Sequence, residues 1–206
     1  MRTFDCDIDS FGLYAGLLFE PVFFAAVAIS LIFNPWFDYK VHTLSDLGAL
    51  SSNNGWIFNL GMMISGALGA VFSWRVLVKQ NYPLWIYGYI MLISAIIMIL
   101  IGLFPDDLYV YVIPNTVTVH KFLSILGALL SSIGMLLYAI YWIKKERWIK
   151  LGVSLLGFGF GSAPLAAWIG HPSIALIEIS FSLTIMLWAY ITIHYLCTVN
   201  KNDTSD

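Results

Sequence analysis

Six long apolar segments constrain what this chain can fold into. They cover about residues 13–33, 56–77, 84–104, 122–142, 149–169 and 174–196. As a helix rising ~1.5 Å per residue, each segment is long enough to cross the hydrocarbon core of a bilayer. Charged residues make up only 11% of the 206 residues, against about a quarter in a soluble domain. The sequence therefore predicts one all-α integral membrane domain over residues 1–206, a bundle of six transmembrane helices with a polar tail at 198–206.

The positions of lysine and arginine predict how this bundle is oriented. Six crossings place both termini on one side of the membrane. Of the ten Lys and Arg residues, all but Lys40 and Lys121 fall on the side of the termini. Cytoplasmic segments are enriched in these residues, so we predict a multi-pass cell-membrane protein with cytoplasmic N- and C-termini. The net charge of -2 and the lack of a basic stripe argue against a nucleic-acid partner.

The longest polar interruption, between the first two apolar segments, carries most of the polar residues that could form a site. It contains the run Leu44-Ser45-Asp46-Leu47-Gly48 and leads into Ile57-Phe58-Asn59-Leu60-Gly61. Ser and Asp are good helix N-caps, so a short interfacial helix that begins here and stops at residues 51–55 is one interpretation. The other makes Asp46 a buried acceptor that binds a ligand or holds a histidine.

Alternating crossings bring the other chemically capable side chains to this same outer face. The predicted set comprises Asp38, His42, Asp46, Asp106, Asp107, His120 and His171, with Glu178 one turn inside the last apolar segment. Histidine and carboxylate ligands could hold a divalent metal that activates water, and His42, His120 and His171 are the candidate metal ligands. No pair of them has helical i, i+4 spacing or matches HExxH, so an accidental gathering in the loops is the alternative.

Two glutamates inside apolar segments need a partner, a proton or water, because an isolated carboxylate in lipid is costly. We expect Glu178 to act with the outer polar residues. Glu20 precedes Pro21, which lacks an N–H, and we expect Glu20 to satisfy the backbone carbonyl that this proline leaves without a donor. By position in their segments the two glutamates lie near opposite faces, so we do not expect a direct pair.

The remaining motifs assign no chemistry. Cys6 and Cys197 lie near opposite ends of the chain and belong to no CxxC or metal-type spacing, so we expect neither a disulfide framework nor a cysteine-based zinc site. There is no CxxCH haem attachment, no P-loop and no nucleophile elbow. The sequence therefore assigns no cofactor and leaves enzyme activity open.

The motifs of the outer face resemble those of a known family. Pro35-Trp36-Phe37, the Leu44–Gly48 run and the Ile57–Gly61 run are similar to the entry to the second helix in the membrane family catalogued as domain of unknown function 998, found in archaea and bacteria. Gly102-Leu103-Phe104-Pro105-Asp106 followed by His120 resembles that family's second outer motif. The resemblance covers essentially the whole chain and implies six helices, with Ser45, Asp46, Asn59, Asp106 and His120 as candidate residues. Asp107 and the length of the loop before His120 depart from the pattern.

A fainter similarity links Ser45, Asp46, Gly48 and His120 to Frag1/DRAM/Sfk1-type six-helix proteins, some of which are tied to lipid handling.

Two classes of function follow from these observations. In the first, an outer-leaflet site binds or remodels a lipid or isoprenoid-like molecule, with membrane lipids as its partners. Its candidate polar residues are Ser45, Asp46, Asn59, Asp106, His120 and Glu178. In the second, the chain is a non-catalytic accessory or structural subunit that packs against other membrane subunits, which its small size and short loops favour. A small transporter is a third possibility, although six helices without clear repeats support it weakly.

Overall fold

Five long helices carry the fold in the part of the chain that the structure describes. The computed structural model describes residues 9–80, 84–113, 117–143, 152 and 174–203. The helices are α1 (Ser10–Phe33), α2 (Gly55–Phe72), α3 (Leu84–Leu103), α4 (Val119–Ile143) and α5 (Ile174–Asp203). Each is long and apolar enough to cross a membrane, which confirms an all-α, multi-pass membrane protein. The predicted segment 149–169 lies outside the described residues apart from Gly152.

Three short elements complete this part of the fold. A single 3-10 turn spans Leu44–Gly48, a π-helical turn at Ser73–Leu77 continues α2, and a small antiparallel hairpin joins β1 (Tyr111–Ile113) to β2 (Val117–Thr118). The interfacial helix predicted to run on to residues 51–55 is therefore wrong in its extent. The backbone of Ala49 is extended, and this ends the turn directly after Gly48.

Contacts between helix ends show that α1 to α4 run alternately up and down, and that α5 begins at the same end of the bundle as α4. At one end of the bundle, Asp9 caps the first turn of α1 and forms an ion pair with Arg75 at the end of α2 (Oδ2 to Nε, 2.6 Å). At the other end, the 3-10 turn contacts the beginnings of α4 and α5, and Leu50 and Ser51 after the turn are bonded to Asp107 after α3. The polar loops thus meet at one end, and Arg75 lies at the opposite end.

Small residues let the helices pack closely. Close packing matters here because helices in lipid associate with little hydrophobic driving force and depend on van der Waals contact. A Cβ on Gly66 of α2 would lie 2.8 Å from the backbone carbonyl oxygen of Ala95 in α3. Ser94 of α3 donates a hydrogen bond to the Gly127 carbonyl of α4 (2.9 Å) and pairs with the Ser131 hydroxyl. These contacts hold α2, α3 and α4 side by side.

The backbone carbonyl released by Pro21 is satisfied by α5, not by Glu20. Pro21 cannot donate to the carbonyl of Leu17, four residues earlier in α1. The hydroxyl of Tyr190 donates to that oxygen at 3.0 Å. The expected structural role of Glu20 is therefore wrong, and its carboxyl group is left for another partner.

Cys197 also departs from expectation. It lies buried near the end of α5, packs in the same apolar cluster as Leu13 and Val76, and is disulfide-bonded. The expectation of no disulfide is wrong for this residue. Its position places the bond at the end of the bundle that carries the Asp9–Arg75 ion pair.

Candidate functional site

His120 is the centre of the polar cluster at the looped end of the bundle. It lies in the first turn of α4, and its side chain is only 4% exposed. Its Nδ1 lies 2.6 Å from the carbonyl oxygen of Phe104, directly after α3. Carbonyls at a helix C-terminus lack an intrahelical donor, so this oxygen is available. Because a carbonyl can only accept, Nδ1 carries a proton, and the neutral ring presents an unprotonated Nε2 on its other side.

The hydroxyl of Ser45 faces this nitrogen. Ser45 Oγ lies 3.0 Å from His120 Nε2, so in the neutral ring the serine donates and the histidine accepts. Asp106 Oδ1 is 4.0 Å from the same nitrogen, too far for a direct hydrogen bond. Ser45, His120 and Asp106, which the sequence predicts to share one face, are therefore brought together.

The 3-10 turn positions Ser45 through its apolar neighbours. Leu44 and Leu47 are buried in a cluster with Phe23 of α1, Phe58 of α2 and Ala175 of α5. This packing anchors the turn across three helices. The polar side chain between the two leucines is thereby held at a fixed position in the bundle.

Glu178 joins the cluster through the backbone. Its Oε2 accepts the N–H of Leu44 at 2.7 Å, which links the first turns of α5 to the 3-10 turn. The action of Glu178 with the outer polar residues stays a prediction, and this contact places it beside the turn that carries Ser45. Glu178 thus binds the backbone of the residue directly before Ser45.

Asp46 and Asn59 brace the loop. The carboxylate of Asp46 accepts the N–H of Thr43 at 2.8 Å, as a capping residue does. The amide of Asn59 donates to the Gly48 carbonyl at 2.8 Å and packs where a Cβ on Gly48 would lie. Of the two interpretations of Asp46, these contacts favour bracing of the loop.

Asp107 ties the same loop to the end of α3. Its two carboxylate oxygens accept the N–H groups of Leu50 (2.7 Å) and Ser51 (3.0 Å). Partial burial alone would raise the pKa of Asp107, but the hydrogen bonds from Leu50 and Ser51 outweigh it and hold this pKa below its ordinary value. The residue that departs from the family pattern is thus a structural link.

The candidate metal ligands do not form a metal site within the described residues. No group of three or more His, Cys, Asp or Glu side chains there is placed to hold an ion. His42 accepts the Asp38 N–H through Nδ1 and packs edge-on against Trp36, at 5.1 Å between ring centroids. His120 is engaged as described above, and His171 lies outside the described residues.

A cavity of about 190 Å³ lies between the helices beside Ser45. Phenylalanine and methionine side chains form much of its wall, among them Phe19, Phe23, Phe58, Phe72, Met91 and Met98. Serines and two glutamates also line it, among them Glu20, Ser45, Ser65, Ser94, Ser131 and Glu178. Among the described residues that line it there is no lysine, arginine or histidine. The cavity is therefore apolar with acidic and hydroxyl groups, a composition suited to an amphiphilic ligand.

Glu20 is the lining residue that sequence reasoning misplaced most. Its side chain is 2% exposed, it lines the same cavity as Glu178, and its Oε2 has no hydrogen-bond partner in the described part of the chain. Segment position alone puts the two glutamates near opposite faces. The sequence feature that could have predicted its place at the cavity is the carboxyl group itself, since an ionisable residue inside a membrane helix usually faces a cavity or a partner.

Comparison with known proteins identifies the family. The family model described as "Protein of unknown function (DUF998)" matches residues 18–194, which is most of the chain, so the chain belongs to this family. No curated protein and no solved structure matches the chain.

Proposed function

We propose that this member of the DUF998 family binds a lipid or isoprenoid-like molecule from the extracytoplasmic side of the cell membrane. The apolar part of the ligand occupies the cavity between α1, α2, α3, α4 and α5. Its polar group lies at the end lined by Ser45 and Glu178. The observation that carries this proposal is the cavity itself, which joins aromatic walls to hydroxyl and carboxyl groups inside a membrane bundle.

The lining also favours a class of polar group. Two carboxyl groups reach the cavity, and no cationic side chain does among the described lining residues. A phosphate there would lose its hydration without gaining a cation, which is costly. A hydroxyl, amide or amine group would instead find hydrogen-bond acceptors at Glu20 and Glu178, and an ester is uncharged and needs no cation. The proposed ligand is therefore a neutral or amine-bearing lipid-like molecule.

Native mass spectrometry of the full chain in mild detergent tests this proposal, with two neighbouring positions of α4 as a matched pair. Ala128 lines the cavity, whereas Leu129 is 36% exposed on the outside of the helix. Ala128→Phe places a ring in the cavity, and Leu129→Phe places the same ring against lipid. We expect a bound molecule on the wild type and on Leu129→Phe, and its loss from Ala128→Phe.

The same measurement separates the proposal from a purely structural role. If the wild type carries no bound molecule, or if Ala128→Phe retains the same molecule as the wild type, the binding proposal is wrong. Copurification of another membrane subunit with all three proteins, and of no small molecule with any, would favour the accessory-subunit function instead.

A further inference from the structure

We propose that Ser45 and His120 form a nucleophile and general-base pair that cleaves an ester bond of the molecule held in the cavity. This inference rests on the proposed binding function and adds a reaction to it. A serine hydroxyl becomes a useful nucleophile when a base within hydrogen-bond distance removes its proton and a third group orients that base. The chain supplies the nucleophile in Ser45, the base in His120 and the orienting group in the Phe104 carbonyl.

The first observation is the hydrogen bond between the two side chains. Ser45 Oγ and His120 Nε2 are 3.0 Å apart, within the range expected for a nucleophile and its base. Because Nδ1 is committed to the Phe104 carbonyl at 2.6 Å, the tautomer that leaves Nε2 free to accept a proton is the one that the structure favours. The carbonyl thus does for His120 what an aspartate does in a Ser-His-Asp triad: it sets the tautomer and the orientation of the ring.

A second observation is access. Ser45 lines the cavity, so this residue borders the space proposed for the ligand. His120 is 4% exposed and is not among the described lining residues, so the base lies behind the nucleophile. A bond that served only to hold the loop would not require the serine at the cavity wall and the histidine behind it. The loop is already braced by Asp107 and Asn59 through backbone groups.

A third observation concerns stabilisation of the charged base. When His120 takes the proton, the imidazolium has the Phe104 carbonyl on one side and the Asp106 carboxylate 4.0 Å from Nε2 on the other. The carboxylate therefore lies close to the place where the positive charge of the imidazolium develops. Asp106 is in this scheme a positioning residue, since it acts on the base and touches no reacting atom of the ester.

The reaction balances with water as the only co-reactant. Ser45 Oγ attacks the ester carbonyl carbon while its proton passes to His120 Nε2. The bond from that carbon to the alcohol oxygen breaks, and the leaving oxygen takes the proton from Nε2. Water then attacks the acyl-serine, gives a proton to Nε2, and releases the carboxylic acid as the proton returns to Ser45. Nothing is oxidised or reduced.

A long-chain alkyl fluorophosphonate tests this inference, because it reacts with activated serines and resembles an apolar ester. The full-length protein in mild detergent is treated with the probe, and the adduct is located by peptide mass spectrometry. We expect an adduct on Ser45 of the wild type and none at this position in Ser45→Ala. Ser180→Ala serves as the control, because the Ser180 hydroxyl bonds the Leu176 carbonyl within α5 and does not line the cavity.

His120→Gln separates catalysis from structure. A glutamine amide can keep a hydrogen bond to Ser45 Oγ but cannot take its proton. We expect the rate of labelling to fall by about 100-fold or more, the usual contribution of a general base, while the melting temperature stays within a few degrees of the wild type. Equal labelling of wild type and His120→Gln, or no adduct on Ser45 of the wild type, would overturn the inference. If the probe result is negative but Ala128→Phe still loses the bound molecule, the binding proposal stands and the reaction is wrong. If the binding proposal itself is wrong, the mass spectra of Ala128→Phe show it without the probe.

Discussion

At the scale of single residues, the polar cluster shows which side-chain partners the sequence can predict. Ser45, His120 and Asp106 were placed on one face because alternating crossings return the chain there, and the structure brings these three together. The acceptor on the other side of His120 is a backbone carbonyl, Phe104 O. Every residue offers such a carbonyl, so no pattern of residue types could have singled it out.

Tyr190 gives the first test at this scale. Tyr190→Phe removes the donor to the Leu17 carbonyl, which Pro21 cannot satisfy. We expect the free energy of unfolding to fall by about 0.5–2 kcal/mol, the range for hydrogen bonds between membrane helices. Thermal unfolding in detergent measures it, with Tyr14→Phe as the control because Tyr14 is 62% exposed. Equal melting temperatures for the two variants would show that the bond contributes nothing.

Asp107 gives a pH-dependent test. Its pKa is lower in the folded protein than its ordinary value, so its contribution is present above the unfolded pKa, about 3.9, and is lost as the pH falls through the folded pKa. Asp107→Asn keeps at most one of the two acceptors. We expect it to lose up to about 1 kcal/mol at pH 7, a small value because the site is partly exposed.

The pH series then distinguishes this carboxylate from the others in the chain. Melting temperatures of wild type and Asp107→Asn should converge as the pH is lowered from 7 towards 3. A gap that stays constant over this range would mean that the ionised carboxylate is not the source of the stability.

At the scale of elements, the helices were predictable and the connections were not. Apolar runs long enough to cross a bilayer leave few alternatives to a helix. The bounds of α3, and those of α2 together with its π-helical continuation to Leu77, lie within a residue of the predicted segments. The 3-10 turn at Leu44–Gly48 and the pairing of β1 with β2 depend on what packs against them. The turn ends early because Leu44 and Leu47 are anchored between helices, a contact between residues distant in sequence.

The close approach of α2 and α3 gives a test with a control on the same helix. A Cβ on Gly66 would meet the Ala95 carbonyl at 2.8 Å and the Ile99 nitrogen at 2.9 Å, both backbone atoms, whereas the nearest atom to one on Gly69 is a side-chain carbon at 3.4 Å. We expect Gly66→Ala to destabilise the bundle by about 1–3 kcal/mol, as overpacking does, and Gly69→Ala to have little effect. Thermal unfolding of both variants decides, and a Gly66→Ala protein as stable as Gly69→Ala would contradict this packing.

At the scale of the whole molecule, the bundle has two chemically different ends. One holds the Asp9–Arg75 ion pair and the other holds Ser45, His120 and Glu178. Charge distribution predicts that the first end is cytoplasmic. The disulfide at Cys197 opposes this, because disulfides persist mainly in oxidising compartments. The proposed ligand and reaction depend on this orientation, since they place the polar end of the cavity at the extracytoplasmic face.

Cysteine labelling in intact cells measures this orientation. Lys40, in the loop that carries Ser45, and Lys79, after the end of α2, are both exposed, and each is replaced singly by cysteine in a chain whose Cys6 and Cys197 are changed to serine. A membrane-impermeant maleimide should modify Lys40→Cys in intact cells and Lys79→Cys only after the cells are permeabilised. Modification of Lys79→Cys in intact cells, with Lys40→Cys protected, would place the polar end of the cavity in the cytoplasm and contradict the account.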